Sequence, residues 1–310
     1  MEFIKLLLVT WTCLWGAGPW GGSTHAHGDE VDLGVGSRHA QNLTMLTDIS
    51  DVDRLKERRA MVSFLKVRWP NKVMPVGFDP MFSESYKATV YRSMDLLNNF
   101  TCLRFRNVTE PENEHYLHIF AGKACSAIRG FTRNKKKFQK MSLGRGCNVR
   151  GFVIHELLHA AGFHHQHVRA DRNDYVTIHW NNIQKHAHMD FSQKDGEHDY
   201  LLTMGLPYDF NSIMHYSKNA FAIDNKHHPT IEIKKHFPGR LGQHKGLSRT
   251  DIAMLNRLYE CWDHYLGDDI PDAVDYKEFN SRYFKEKTDQ ATPVSDEFKL
   301  WLHYMRSLHQ

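Results

Sequence analysis

The segment HELLHAAGFHHQH, residues 155–167, constrains the fold more than any other part of this chain. His155 and His159 are four residues apart, so on a helix both imidazoles lie on one face about one turn apart. Gly162 then supplies the conformational freedom to end the helix and turn the chain sharply. Because that turn brings His165 toward the same point, we predict that three imidazoles bind one metal ion.

Glu156 indicates the chemistry at such an ion. Its side chain lies about 100° round the helix from His155, where it contacts a water on the metal without ligating the metal itself. Three neutral nitrogens leave one position of a zinc ion open for that water. The carboxylate then takes the proton of the water and passes it to a leaving amine. The motif therefore predicts peptide hydrolysis, with Zn²⁺ as cofactor and Glu156 as general base.

Other histidines compete for the role of ligand, because the chain contains 22 of them. The eleven-residue spacing of HExxHxxGxxH selects His165. We expect His164, His167 and His215 to be solvated or structural instead, since surplus histidines are commoner than surplus ligands.

The extended histidine motif is known to occur with a downstream methionine turn. The segment NSIMHYS, residues 211–217, supplies Met214, with Tyr216 two residues later. Alone, Met214 would be interpreted as an ordinary core methionine, but its occurrence together with the histidine motif favours the turn.

The composition, 41% hydrophobic and 25% charged over 310 residues, is that of a globular protein. This length suffices for one large domain or for two lobes that share a core. The formal net charge of +4 is small for the length and argues against nucleic acid as the main partner. Apart from a short N-terminal run, no stretch approaches the length of a transmembrane segment.

That N-terminal run, Leu6–Trp15, follows Lys5 and precedes small residues, which is typical of a secretory signal peptide. We therefore expect a secreted, extracellular protein. The polar segment that follows ends in RLKERR and is predicted to be a propeptide cleaved after Arg59; a flexible linker without inhibitory role is the alternative. The predicted boundaries are 1–22 for the signal peptide, 23–59 for the propeptide, 60–261 for the catalytic domain and 262–310 for a C-terminal extension.

Removal of the signal peptide removes Cys13 and leaves four cysteines, which are Cys102, Cys125, Cys147 and Cys261. An even number in an oxidising compartment predicts two disulfides, with reduced buried thiols as the alternative. The residues alone allow three pairings, of which a short loop nested inside a long one is only one. Three sequons provide glycosylation candidates compatible with that compartment, at Asn42, Asn99 and Asn107.

Hydrophobic periodicity predicts an α+β fold. Helices are expected over residues 83–98, from about 147 to 161 and near 248–259. Strands are expected at KVMPVGF, CLRFRNV, HYLHIFA, 126–129 and 139–143, and Pro75 indicates an edge position for the first of them. An antiparallel or mixed sheet with helices on it would then be followed, after residue 170, by an irregular second lobe.

These motifs together resemble those of the astacin family of zinc endopeptidases, within the metzincins. HELLHAAGFHHQHVRADR continues past the histidines into the family's Arg-x-Asp-Arg pattern at Arg169, Asp171 and Arg172, and SIMHY is the family's form of the methionine turn. The likeness begins at RWPNKVMPVGFD, includes MSLGRGC and ends with LGQHKGLSRTDIAMLNRLYEC at Cys261.

The resemblance implies a two-lobed metzincin zinc-protease fold with a cleft between the lobes. The N-terminal lobe would carry helices and a twisted, mostly antiparallel-edged sheet, and the C-terminal lobe would be irregular. The disulfides would join Cys102 to Cys261 and Cys125 to Cys147. Tyr216 would be a mobile fifth zinc ligand that swings to support the oxyanion of the tetrahedral intermediate, work that suits a phenol hydroxyl.

This chain departs from the family pattern at three places. Gln166 replaces the Glu that usually follows the third histidine, so an ion pair with the mature N-terminal ammonium would become a neutral hydrogen bond. The propeptide has no Phe-x-Gly-Asp motif to block the zinc; HGDE offers Asp29 in its place, in competition with Asp48, Asp51 and Asp53. Ser126 replaces an aromatic residue, which would alter how an extended substrate pairs along the cleft rim.

Two further segments have a distinctive composition. Residues 129–145 contain seven cations and two phenylalanines, which indicates either a solvated hairpin tip or a surface for acidic substrates or sulfated glycans. Residues 295–308 place apolar side chains on one helix face, which would dock on the catalytic domain or contact a partner or membrane surface.

A secreted zinc endopeptidase that acts on proteins or peptides is the leading hypothesis. The alternative is a secreted binding protein or toxin-like decoy on the same fold. Because a decoy would be expected to lose the general base or a ligand, the presence of Glu156 and of all three histidines favours the enzyme.

Overall fold

The computed structural model describes residues 65–134, 136–193, 203–224, 228–283 and 300. The predicted signal peptide, the propeptide, Asn42 and all of the 295–308 stripe except Leu300 lie outside these ranges. The chain divides after residue 46, and every described residue belongs to the unit 47–310. Within the described ranges no helix is long and apolar enough to cross a membrane.

A five-stranded sheet forms the framework of the N-terminal lobe. Its strands are β1 Val73–Phe78, β2 Arg104–Asn107, β3 Tyr116–Phe120, β4 Cys125–Ala127 and β5 Phe138–Leu143. They lie in the order β2-β1-β3-β5-β4, and all neighbouring pairs are parallel except β4 with β5. The sheet is therefore mixed, and an antiparallel edge is found at β4 but not at β2. The reason is the connection: β1 reaches β2 through a crossover helix, whereas β4 returns to β5 through the loop 128–137.

The prediction of an edge position from Pro75 is wrong. Strand β1 lies between β2 and β3, and Pro75 lies opposite Arg106 of β2. A proline removes one ladder hydrogen bond. Its neighbours Met74 and Val76 are 0% and 1% exposed, so burial of apolar side chains keeps this strand in the interior.

Helices pack against the sheet to form the main core. In the first of them, Val90, Met94 and Leu97 recur at three-to-four spacing and are all buried. The helix that carries the histidine motif has buried residues around most of its circumference, because the sheet, the first helix and the C-terminal part of the chain all cover it. The helices are α1 Glu84–Phe100, α2 Arg150–Ala161, α3 Arg249–Leu258 and α4 Tyr276–Tyr283.

Helix α3 begins with a capping box. The Ser248 side chain accepts a hydrogen bond from the Asp251 amide, and the Asp251 carboxylate accepts one from the Ser248 amide. Both exchanges satisfy amides that have no partner inside the helix. The cap therefore fixes a buried carboxylate at the start of α3.

The second lobe is irregular, as predicted. It consists of short 3-10 turns and the two-stranded antiparallel sheet of β6 Val176–Ile178 and β7 Ile231–Ile233. It has a hydrophobic core of its own, which includes Ile183, Phe191 and Tyr208. The predicted α+β class, with an irregular second lobe, is thus confirmed.

Two disulfides join the four described cysteines, Cys102 to Cys261 and Cys125 to Cys147. This is the pairing that the resemblance implies. The chain continues to pack beyond Cys261: Tyr276 and Phe279 of α4 are 1% and 2% exposed against the main core. The sequons at Asn99 and Asn107 are exposed, at the end of α1 and of β2.

The two disulfides should contribute unequally to stability. Cys102–Cys261 spans 159 residues and Cys125–Cys147 spans 22, so the chain-entropy model gives the longer loop about 2 kcal/mol more stabilisation. Cys261 and Cys147 are each 1% exposed, so the loss of packing caused by a Cys→Ser change should be similar at the two bridges. Urea unfolding of the two double Cys→Ser variants would measure the difference; equal losses would contradict the model.

Candidate metal centre

Helix α2 presents His155 and His159 on one face, with ring centroids 4.7 Å apart. The second nitrogen of each ring points at a backbone carbonyl: His155 Nδ1 lies 2.8 Å from Ile213 O, and His159 Nδ1 lies 3.0 Å from Phe163 O. Since a carbonyl only accepts, each Nδ1 must carry the proton. Each Nε2 then keeps its lone pair for a metal ion.

Gly162 ends the helix and redirects the chain, as predicted. Its φ of 122° is strained for any residue with a side chain, and its amide donates back to His159 O and Leu158 O. After the turn, His165 Nε2 lies 3.2 Å from His155 Nε2 and 3.0 Å from His159 Nε2. The structure thus brings the three predicted ligands together.

The donor set fits zinc. A tetrahedral zinc ion with Zn–N distances of about 2.0–2.1 Å places its nitrogens about 3.3 Å apart. The Nε2 separations are close to that value, and the three residues are the only group of metal-ligating side chains found among the described residues. Burial, with neighbouring His159, lowers the pKa of His155 to about 3, and burial also lowers the pKa of His159 and His165. All three rings are therefore neutral, as metal binding requires.

Glu156 lies beside the ligands and is 5% exposed. Burial raises the pKa of its carboxyl to about 8, an effect that a backbone hydrogen bond from Ala127 on β4 reduces. Its Oε2 makes no hydrogen bond to any described residue. A buried carboxylate oxygen without a protein partner is available to a molecule bound at the site.

The methionine turn lies beneath the histidines. Met214 is 1% exposed in the main core, and Met214 O accepts a hydrogen bond from the amide of Gln166, directly after the third histidine. The Tyr216 ring lies 4.4 Å from the His165 ring and stacks on His167 at 4.0 Å. Burial raises the pKa of Tyr216, which keeps its hydroxyl protonated.

The surplus histidines, which we expected not to bind the metal, are placed outside the ligand cluster. His167 is fully buried and its Nε2 lies 3.0 Å from Asp190 O. His215 lies between the Tyr208 hydroxyl, 2.8 Å away, and Tyr216 O, 2.7 Å away. His164 is partly exposed and is not in the ligand cluster.

The Arg-x-Asp-Arg continuation secures the chain after the histidines. Arg169, 4% exposed, forms a two-bond ion pair with Asp171 at 2.8 and 2.6 Å. Arg172 donates to His167 O and Phe191 O. The motif thus neutralises one of its arginines with its own aspartate and uses the other to hold two backbone carbonyls.

Sequence reasoning missed two residues behind the methionine turn. Ser212 is fully buried and donates to the Asp251 carboxylate at 2.6 Å, and Asp251 also accepts from the Ile213 amide at 3.0 Å. Burial, together with nearby Asp209, raises the pKa of Asp251 to about 6. The S-x-x-D pattern at 248–251 was a readable signal for a cap, but nothing local shows that its carboxylate also reaches this turn.

Two of the departures from the family pattern can be located. Gln166 is 4% exposed, and no described residue forms a hydrogen bond with its Oε1. Residues 60–64, which would include the mature N-terminus, lie outside the described ranges, so a bond to that terminus stays a prediction. Ser126 is exposed in the middle of edge strand β4.

Comparison with known proteins decides the family. The sequence model of Astacin, a family of peptidases, matches residues 61–260. The chain belongs to the astacin family. The predicted membership of the astacin family is thereby confirmed, and the three-histidine cluster is consistent with zinc as the cofactor.

Individual proteins align with about two thirds of this chain. The dorsal-ventral patterning protein tolloid of Drosophila melanogaster is 39% identical over 212 residues, which are 67% of this chain and 19% of tolloid. Seminal metalloprotease 1 of the same species is 34% identical over 63% of this chain and 79% of its own length. The chain therefore spans about a fifth of tolloid and most of the seminal protease. High choriolytic enzyme 1, a hatching enzyme zinc-protease from Oryzias latipes, superimposes with a TM-score of 0.56 at 33% identity over 63% of this chain and 93% of that one.

Replacement of Gly162 should damage both folding and metal binding. In Gly162→Ala, the strained φ and a Cβ placed 3.0 Å from Val67 and 3.3 Å from Leu258 should cost about 2 kcal/mol of unfolding free energy. Zinc affinity should fall as well, because the turn delivers His165. Gly146→Ala is the matched control, since its φ is 91° and nothing lies within 4 Å. Equal zinc affinity in both variants, measured by chelator competition, would disprove the role of the turn.

Proposed function

We propose that this chain is a secreted zinc endopeptidase that hydrolyses peptide bonds in proteins. Its zinc ligands are His155, His159 and His165, and its general base is Glu156. The observation that supports this best is the convergence of three neutral Nε2 atoms beside a buried carboxylate oxygen that no described residue binds. Structural zinc sites usually have four protein ligands, whereas three leave a position for substrate or water.

The residues of the site divide the work of hydrolysis. When bound, zinc supplies Lewis acidity that polarises water and the scissile carbonyl. Glu156 accepts one proton from the attacking water and donates it to the nitrogen of the leaving amine, so that the C–N bond breaks with the charges balanced. Burial of Glu156 suits this exchange, because little bulk water competes for the proton.

Tyr216 is proposed to stabilise the negative charge that develops on the carbonyl oxygen. Its phenol is a hydrogen-bond donor at neutral pH, and its ring packs against both His165 and His167 at the edge of the ligand cluster. The Tyr216 ring also contacts Phe221 of the second lobe, with ring centroids 5.7 Å apart.

Secretion is part of the proposal. All four cysteines of the predicted mature chain are oxidised, which favours an extracellular or secretory compartment. The N-terminal run Leu6–Trp15 is consistent with export.

A protease assay tests the assignment of the general base. Glu156→Gln should lower casein cleavage by at least about 10²-fold, because general acid–base catalysis contributes that much. Tyr216→Phe should lower it less, and addition of a zinc chelator should abolish it. Both variants should retain bound zinc, measured by elemental analysis. Cleavage by Glu156→Gln at the wild-type rate would remove Glu156 from the mechanism.

The basic loop, residues 129–145, is proposed to bind an acidic partner such as a sulfated glycan. Arg133 and Lys136 are exposed, and Lys140 is exposed above the Phe120 ring, 5.5 Å from its centroid. Arg129 is different: it is partly buried and donates to Gly162 O at 3.2 Å, so it supports the metal site rather than the surface. The accessible cations remain close enough together to attract polyanions.

Heparin chromatography distinguishes this surface from a merely solvated hairpin. The triple variant Arg133→Ser, Lys136→Ser, Lys140→Ser should elute at clearly lower salt than the wild type. It has lost three cations that contact sulfate groups, so less added salt is needed to screen the remaining attraction. A control triple variant of Lys66, Lys87 and Lys277 removes the same charge elsewhere. If both variants elute alike, the loop has no special affinity.

A further inference from the structure

A chain of hydrogen bonds leads from a proposed zinc ligand to a buried carboxylate behind the methionine turn. His155 Nδ1 donates to Ile213 O at 2.8 Å. The amide of the same peptide group, Met214 N, donates to Ser212 Oγ at 3.0 Å. Ser212 Oγ in turn donates to Asp251 Oδ1 at 2.6 Å. The 213–214 peptide and the Ser212 hydroxyl each accept one bond and donate the next, so all the bonds point from His155 toward Asp251.

The chain is shielded from water from Asp251 as far as the 213–214 peptide, and only its His155 end is partly exposed. Ser212 and Ile213 are 0% exposed, Met214 is 1% exposed and Asp251 is 2% exposed. In such an environment hydrogen bonds in series polarise one another, because no solvent competes with them. The Asp251 carboxylate also accepts from the Ile213 amide at 3.0 Å, which fixes its orientation toward the turn.

The direction of the bonds determines their effect on the imidazole. A carboxylate makes the Ser212 oxygen a stronger acceptor, and the serine in turn polarises the peptide between Ile213 and Met214. The carbonyl oxygen of that peptide becomes more negative and holds the Nδ1 proton of His155 more firmly. Electron density at Nε2 rises, as it does when a carboxylate contacts a metal-bound histidine directly.

We propose that Asp251 is a positioning residue for the zinc site, acting on His155 through Ser212 and the 213–214 peptide. This relay fixes the tautomer and ring orientation of His155 and strengthens zinc binding. The inference rests on the proposed zinc function. The same turn also holds the second half of the motif, since Met214 O accepts from the Gln166 amide at 3.0 Å.

Zinc affinity of the full chain tests the relay. Ser212→Ala and Asp251→Asn should each raise the zinc dissociation constant about 10-fold, the lower end of the effect for residues that orient a ligand. The double variant should lose little more than either single one, because both changes break the same chain. The measurement is competition with a chromophoric zinc chelator.

Thr250→Val is the matched control. Thr250 adjoins Asp251 on α3, is 7% exposed, and its hydroxyl bonds the other buried carboxylate, Asp209. The variant removes a buried hydroxyl from the same helix turn and leaves every hydrogen bond of the relay in place. It should bind zinc like the wild type, and a loss equal to that of Ser212→Ala would overturn the proposal in favour of general destabilisation.

A second readout uses the metal-free protein. In the wild type labelled with ¹⁵N-histidine, His155 should show a single Nδ1–H tautomer with a downfield proton. That resonance should move upfield in Ser212→Ala and stay in place in Thr250→Val. Unchanged zinc affinity and an unchanged resonance in Ser212→Ala would show that the relay does not act on His155. Failure of the wild type to bind zinc would instead overturn the proposed function, and the resonance would still report on the relay.

Discussion

The backbone of the methionine turn holds both halves of the histidine site. Ile213 O orients a ring on helix α2, and the next carbonyl, Met214 O, anchors the segment that follows the helix. These two bonds tie a ring of the helix and the segment after Gly162 to the same turn. The protein itself therefore arranges the ligands. The loss of conformational entropy that orders these side chains accompanies folding and does not oppose the binding of a metal ion.

Two buried arginines extend this order into the second lobe. Arg169 donates to Leu206 O and Pro207 O, and Arg257 donates to Met204 O and Gly205 O. Four successive carbonyls are thus held by guanidinium groups that come from two distant parts of the catalytic region. Arg257 also donates to Leu266 O, which brings the segment after Cys261 into the same network. The family match ends at residue 260, but the packing does not.

The sequence predicts the site better than it predicts the sheet, for a physical reason. Which side chains share a helix face depends on spacing alone, so His155, His159 and the turn at Gly162 can be read locally. Strand order depends on pairings between distant segments, so Pro75 gave a wrong edge position. The second contact of Asp251 could not be predicted for the same reason. Its helix cap is local, whereas its hydrogen bond with Ser212 joins residues 39 positions apart.

The Cys102–Cys261 bridge has a consequence for the resistance of the chain to proteolysis. It closes a covalent ring of backbone that contains strands β2 to β5 of the large sheet, helix α2, the three histidines, the methionine turn and helix α3. A single cleavage anywhere inside that ring opens the backbone without releasing either piece. The two fragments stay tethered and in register, and the damage would become visible by size only after reduction.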